Sequence, residues 1–96
     1  KGKGGRNQEL VLSALKYLKE EQLIISIASD GKDNIKGVAG AIGDSLTIKN
    51  AQKLNLDIDL YLENNDSYHF FKKTGDLIFT KNTGSNVSDL IILIKE

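Results

Sequence analysis

The sequence has no cysteine, proline, methionine or tryptophan, and it has one histidine among 96 residues. Without cysteine, neither a disulfide nor a thiolate metal site can form; this fits a reducing compartment, and we expect a cytoplasmic protein. A single histidine, His69, gives little support to a zinc site or a nucleophile–histidine pair, so we expect it on a helix surface. Without methionine, the chain cannot have been translated from its own first residue, which predicts a fragment or a C-terminal domain.

Net charge and long apolar runs are also lacking. Thirteen basic and thirteen acidic residues give a formal net charge of zero, which argues against duplex nucleic acid as a partner. The longest apolar run near the end, residues 90–94, is too short to cross a bilayer, so we expect no membrane partner. With 40% hydrophobic residues and no proline-rich linker, residues 1–96 are predicted to form one globular domain.

Apolar spacing predicts alternating helices and strands along the chain. The predicted helices cover residues 7–21, 45–54, 58–63 and 67–73, and the predicted strands cover residues 23–28, 37–43, 77–80 and 89–95. Residues 23–28 are almost continuously apolar, which is typical of a parallel, central strand. The small residues of 37–43 suit a strand beneath a close ligand or another backbone. We therefore predict an α/β fold, a layered sheet of about four strands, mixed or mostly parallel, covered by helices.

The run Gly4-Gly5-Arg6-Asn7-Gln8-Glu9 places two glycines and an arginine at the start of the first predicted helix. The free N–H groups of a helix start attract anions, glycine lets a ligand approach the backbone, and a guanidinium matches phosphate or carboxylate. The same residues also suit an ordinary turn beside a solvated arginine. Taken alone, the run leaves both interpretations open.

Two further polar segments follow predicted strands. Asp30 comes directly after the strand 23–28, with Asp33 three residues later, and these carboxylates could hold Mg²⁺, accept a proton from a substrate hydroxyl, or simply cap a loop. The segment from Thr83 to Asn86 could surround an oxyanion or form a turn. The sequence has neither a Walker motif nor a complete Gly-x-Gly-x-x-Gly at a helix start, so neither common nucleotide fingerprint applies.

Together, four segments in order resemble the MOFRL domain, the C-terminal domain of type 2 glycerate kinases, a family that includes proteins named hydroxypyruvate reductases. The resemblance spans nearly the whole chain. It is carried by residues 4–9; by Asp30-Gly31-Lys32-Asp33 with 39–41; by 65–68 with 70–71; and by 75–77 with Thr83-Gly84-Ser85-Asn86-Val87 and Asp89.

The resemblance implies transfer of phosphate from ATP to the 2-hydroxyl of D-glycerate, assisted by Mg²⁺, in a cleft between this domain and a larger N-terminal domain. Half of the site then lies outside the chain, so the isolated domain would be inactive. Arg6 would be the catalytic residue, stabilising developing charge. Substrate or phosphate would be bound by Gly5, Asn7, Asp30, Thr83 and Asn86, and Asp30 would also be the metal ligand.

The chain departs from the family pattern in two loops. Asp33-Asn34-Ile35-Lys36-Gly37 stands where the family tends to read Asp-Gly-Pro-Thr-Asp, and Lys81-Asn82 replaces a usual Gly-Pro. These departures allow a rival hypothesis, a module of the same fold that binds a small acid or a partner without catalysis. A hydride-transferring hydroxypyruvate reductase is a third hypothesis, which the missing dinucleotide fingerprint disfavours.

Overall fold

A computed structural model describes residues 2–28 and 32–79 of the chain. Within them the chain forms four α-helices and three β-strands, and one 3₁₀ turn, Leu15–Tyr17, extends the first helix. The elements in chain order are α1 (Arg6–Ala14), β1 (Leu23–Ile27), β2 (Val38–Asp44), α2 (Ser45–Lys53), α3 (Ile58–Glu63), α4 (Ser67–Thr74) and β3 (Leu77–Phe79). The predicted strand 89–95 lies outside the described residues.

The described sheet has the order β1-β2-β3, and both pairings are antiparallel. A mostly parallel sheet is therefore not confirmed, and the expected parallel, central position of β1 is wrong for the described strands. The physical reason is the length of the connection between β1 and β2, residues 28–37, because a parallel pair needs a crossover of about a dozen residues or more, usually helical. Ile27 pairs with Gly40 in β2, and a Cβ at Gly40 would overlap the carbonyl oxygen of Ser26. The neighbour of the small-residue strand is thus another backbone.

The helices follow local sequence signals. Asp44 caps α2 in a reciprocal capping box with Thr47, and Gly75 ends α4 in the left-handed conformation, with φ of 84°. The predicted α2, α3 and α4 are confirmed. The first helix was predicted to reach residue 21, but α1 ends at Ala14 and Leu18 is already extended, with ψ of 132°. Leu18 packs against the core in this extended conformation, so its helical spacing was misleading.

Two apolar clusters lie on opposite faces of the sheet, because neighbouring strand residues point to opposite faces. Ile24 packs against the first cluster and Ile25 against the second. The first cluster joins α1, α2, α4 and the sheet through the buried residues Val11, Leu12, Leu15, Ala41, Ala51, Phe70 and Phe71. This first cluster holds α1 against the sheet and so determines the position of the helix start in the fold. Within the described residues, no helix has the length and apolar character needed to cross a membrane.

Candidate functional site at the start of the first helix

The start of α1 is occupied by a carboxylate of the same chain. Asp33 Oδ1 accepts a hydrogen bond from the Asn7 amide at 2.9 Å, and Asp33 Oδ2 accepts one from the Gln8 amide at 2.7 Å. These N–H groups have no partner inside a helix, and a negative charge beside them is stabilised by the helix dipole. The structure therefore shows that the anion at this helix start is Asp33, and the backbone amides of Asn7 and Gln8 are already used.

The carboxylate of Asp33 has no acceptor position to spare. Besides the two amides, Asn7 Nδ2 donates to Oδ1 at 3.1 Å and Gln8 Nε2 donates to Oδ2 at 3.0 Å. An ionised carboxylate offers about four lone-pair positions, so four donors satisfy it. Asp33 is also only 3% exposed. A role as a magnesium ligand, which its sequence position allowed, does not fit this geometry, whereas the alternative of capping does.

Gly5 makes room for this arrangement. The residue is buried, and a Cβ placed on it would overlap the main-chain carbonyl and the side chain of Asp33. Asn34 Nδ2 also donates to the Gly4 carbonyl at 3.2 Å, which ties the same loop to the glycine pair. The glycines are thus required by close contact with the chain itself.

Asn7 joins three parts of the fold through one side chain. Its amide nitrogen donates to Asp33, and its Oδ1 accepts from the hydroxyl of Ser26 in β1 at 2.5 Å. The amide group therefore has partners on both sides and links α1, β1 and the loop before β2. This places Asn7, predicted to bind substrate, in an internal network that orients the helix start.

A second network connects α1 to α4. Glu9 Oε2 accepts from the Ser67 amide at 3.1 Å, and Asp66 Oδ1 accepts from the Lys3 amide at 2.9 Å and contacts His69 Nδ1 at 2.7 Å. Burial, the largest single effect, raises the pKa of Asp66, but the hydrogen bonds from His69 and Lys3 together hold that pKa below its ordinary value of 3.8. His69 is partly exposed, as expected for a helix-surface histidine, and its side chain helps to hold the segment that precedes Arg6.

Arg6 differs from its neighbours in the motif. Its side chain is exposed, and within residues 2–28 and 32–79 its guanidinium makes no hydrogen bond or ion pair. It lies at the first position of α1, where the neighbouring residues are held by Asp33. A planar, permanently charged guanidinium in this position can bind a carboxylate or a phosphate from solvent.

The remaining predicted site residues, Asp30, Thr83 and Asn86, lie outside the described residues. They follow the ends of β1 and β3, and those ends are close together because Ala28 donates to the Ala39 carbonyl and Phe79 pairs with Val38. Both strands therefore end beside the start of β2. In the described part of the chain, no group of three acidic or histidine side chains could hold a metal ion.

Sequence reasoning missed the roles of Gln8 and Ser26. Gln8 is fully buried, and its Nε2 also donates to the Asp33 carbonyl at 2.9 Å. A fully buried glutamine at the third position of an amphipathic helix has no distinctive local pattern. The only available signal was its place inside the six-residue motif.

Comparison with known proteins agrees with this fold and motif. Residues 1–89 match the model of the MOFRL family, and the chain belongs to that family. It is 47% identical over 93 residues to a D-glycerate 2-kinase of Thermotoga maritima and 40% identical over 94 residues to a glycerate 2-kinase of Pyrococcus horikoshii. The crystal structure of a Thermotoga maritima glycerate kinase matches 97% of this chain with a TM-score of 0.76 at 45% identity.

The chain spans only about a fifth of the curated relatives that it matches. The match spans 95% of this chain but 22% of the Thermotoga maritima protein, and 97% of this chain but 21% of the Pyrococcus horikoshii protein. In the matched crystal structure the corresponding share is 24%. The chain is therefore a C-terminal domain of this family, and most of each relative lies outside the region that resembles it.

Proposed function

We propose that this domain completes the active site of a glycerate 2-kinase, which transfers a phosphoryl group from ATP to the 2-hydroxyl of D-glycerate. The observation that carries the proposal is Arg6: an exposed guanidinium without a partner among the described residues, at a helix start fixed by buried hydrogen bonds. Relatives named glycerate 2-kinase, at 40–47% identity, support the proposed reaction class.

Phosphoryl transfer spreads negative charge over the oxygens of the transferred group, and an enzyme gains most by placing positive charge there in advance. A guanidinium serves this purpose because it stays protonated and offers paired donors. Arg6 would contact the transferring phosphate or the substrate carboxylate, and it would not attack either group. Catalysis by Arg6 would therefore appear in kcat more than in KM.

A divalent cation is implied by the reaction, and when bound it would neutralise charge on the nucleotide phosphates. The described residues do not fit such an ion, because the Asp33 carboxylate already accepts four hydrogen bonds and no group of three acidic or histidine side chains among these residues could hold a metal. Asp30 stays the predicted ligand, with Thr83 and Asn86 as predicted substrate or phosphate contacts.

The second wall of the site would come from the N-terminal part of the full-length protein. Leu10 lies one turn after Arg6 on the same helix face and is 54% exposed. We propose that this helix face, which carries Leu10 beside the exposed Arg6, is covered by another part of the same protein. The cleft would then lie between this face and the N-terminal domain, with a small hydroxy acid as substrate.

The experiment uses the full-length protein and measures ATP consumption with D-glycerate, with the phosphorylated position identified by ³¹P and ¹H NMR. We expect turnover that depends on glycerate and yields the 2-phosphate. Absence of turnover together with binding of glycerate would favour the rival, a non-catalytic acid-binding module. Oxidation of NADH or NADPH with hydroxypyruvate, without ATP turnover, would instead identify a reductase.

A further inference from the structure

The position of Arg6 is set by its neighbours, because its own side chain is not held by any described residue. The residue before it, Gly5, packs directly on Asp33, and the two residues after it, Asn7 and Gln8, donate their amides to the Asp33 carboxylate. One buried carboxylate thus fixes the backbone on both sides of the arginine.

We propose that Asp33 is a positioning residue for Arg6: it fixes the first turn of α1 and, with it, the direction in which the guanidinium leaves the helix. The inference rests on the proposed function for its kinetic consequence. In this role Asp33 contacts neither substrate, nucleotide nor metal. The motif then contains an arginine that faces solvent and neighbouring residues that face the protein interior and orient it.

A different use of the carboxylate would be as a displaceable stand-in for a substrate anion at the helix start. Three observations argue against this. Asp33 is 3% exposed, its carboxylate accepts four hydrogen bonds, and its main chain packs on Gly5 with no room for a single added carbon. Removing it would leave buried amides without acceptors, which is costly. The carboxylate is therefore a fixed part of the site.

The substitution Asp33→Asn tests the proposal because it keeps the shape and removes the charge. The new side-chain NH₂ group faces one pair of N–H donors, either that of Asn7 or that of Gln8, and cannot accept hydrogen bonds from it. The cap therefore keeps only one of its two pairs of hydrogen bonds. A shift of about 1 Å in a catalytic group costs on the order of a hundredfold, and a partial loosening is expected to lower kcat about tenfold with little change in KM.

A double-variant cycle in the full-length enzyme separates positioning from general destabilisation. If Asp33 acts through Arg6, Asp33→Asn lowers kcat in the wild-type background and has no further effect when Arg6→Ala is already present. The control is Asp57→Ala, which removes the helix cap of α3, where Asp57 accepts from the Asp59 amide at 3.0 Å. It should leave kcat unchanged. Equal losses from Asp33→Asn in both Arg6 backgrounds would overturn the proposal.

Two further measurements keep the test decisive. Gly5→Ala retains the Asp33 carboxylate but displaces it, so the variant should show the same loss of kcat, and this loss should again be absent in the Arg6→Ala background. This variant tests the positioning role if Asp33→Asn does not fold. If the enzyme does not phosphorylate glycerate, the proposed function fails, and amide hydrogen exchange at Asn7 and Gln8 decides the positioning role. Exchange at least about tenfold faster in Asp33→Asn than in wild type supports it, and unchanged exchange refutes it.

Discussion

Acidic side chains at helix starts order much of this domain. Asp33 accepts the first amides of α1, Glu9 accepts the Ser67 amide of α4, and Asp57 accepts the Asp59 amide of α3. Such caps each contribute about 0.5–2 kcal/mol. Two of them come from distant parts of the chain, so they also tie one element to another. At the residue scale, Arg6 is the member of its motif that is left facing solvent.

The lowered pKa of Asp66 predicts how the stability of the domain depends on pH. Its pKa lies below the ordinary value of 3.8, so its ionised form contributes stability that is present above pH 3.8 and lost as the pH falls through the lowered pKa. Replacing His69 with Gln substitutes an uncharged amide for the imidazole, whose hydrogen bond and charge attraction lower the pKa of Asp66, and should therefore raise that pKa. The pKa is measured from the ¹³C shift of the carboxyl carbon during an acid titration. An unchanged pKa in His69→Gln would contradict the assigned cause.

At the element scale, the segment 33–38 before β2 forms a tight turn although its sequence departs from the resembled pattern. Asn34 adopts a φ of 67° and Gly37 a φ of 85°, and the Val38 amide closes a tight turn on the Ile35 carbonyl at 3.0 Å. Asparagine tolerates the left-handed conformation better than most residues, so Asn34 can stand where the resembled pattern has glycine. The turn also keeps Asp33 beside α1.

Asn34→Val should therefore destabilise the protein by about 1–2 kcal/mol, because a β-branched residue is strained at positive φ. Asn34→Gly is the matched control and should change stability by less than about 0.5 kcal/mol, since it loses only one exposed hydrogen bond. Urea unfolding of both variants makes the comparison. Equal stability of the two variants would show that the backbone conformation at this position is not maintained.

The helices and β2 could be predicted because their signals are local: apolar spacing, Asp44 before α2 and Gly75 after α4. The direction of the strands could not, because a continuous apolar run such as Leu23–Ile27 occurs in parallel and antiparallel strands alike. Strand pairing depends on the connection between strands, which the apolar pattern does not describe.

One feature of the candidate site, an anion at the start of α1, could be predicted. Anion binding at the start of α1 follows from local helix physics, and the structure shows a bound carboxylate there. That the carboxylate belongs to Asp33 could not be deduced, because the contact joins residues 25 and 26 positions apart. The substrate, phosphate or metal roles of Arg6, Gly5, Asn7, Asp30, Thr83 and Asn86 all stay predictions.

At the scale of the whole molecule, the chain matches about a fifth of the length of its curated relatives, and we propose that the rest of the full-length protein completes the site. The face of α1 that carries Arg6 and Leu10 is the surface that we expect to meet the N-terminal domain. Domain contacts of this kind depend on a few buried apolar side chains.

Leu10→Ser in the full-length protein should therefore lower kcat/KM about tenfold, because the closed cleft loses an apolar contact while the helix itself, with Leu10 already exposed, keeps its stability. Leu60→Ser on α3, where the leucine is 51% exposed, is the matched control and should retain activity. Steady-state kinetics with thermal unfolding of each variant makes the comparison. Equal activity of the two variants would argue against this face as the domain contact.

We propose above all that the Arg6 guanidinium stabilises the charge that develops during phosphoryl transfer. The most direct measurement is kcat for ATP-dependent phosphorylation of D-glycerate by full-length Arg6→Lys, compared with Lys53→Arg, which exchanges the same two side chains at an exposed position at the end of α2. We expect Arg6→Lys to lose most of its activity, on the order of a hundredfold, because lysine keeps the charge but not the paired donors. Lys53→Arg should match wild type. Normal kcat in Arg6→Lys would rule out this role of Arg6.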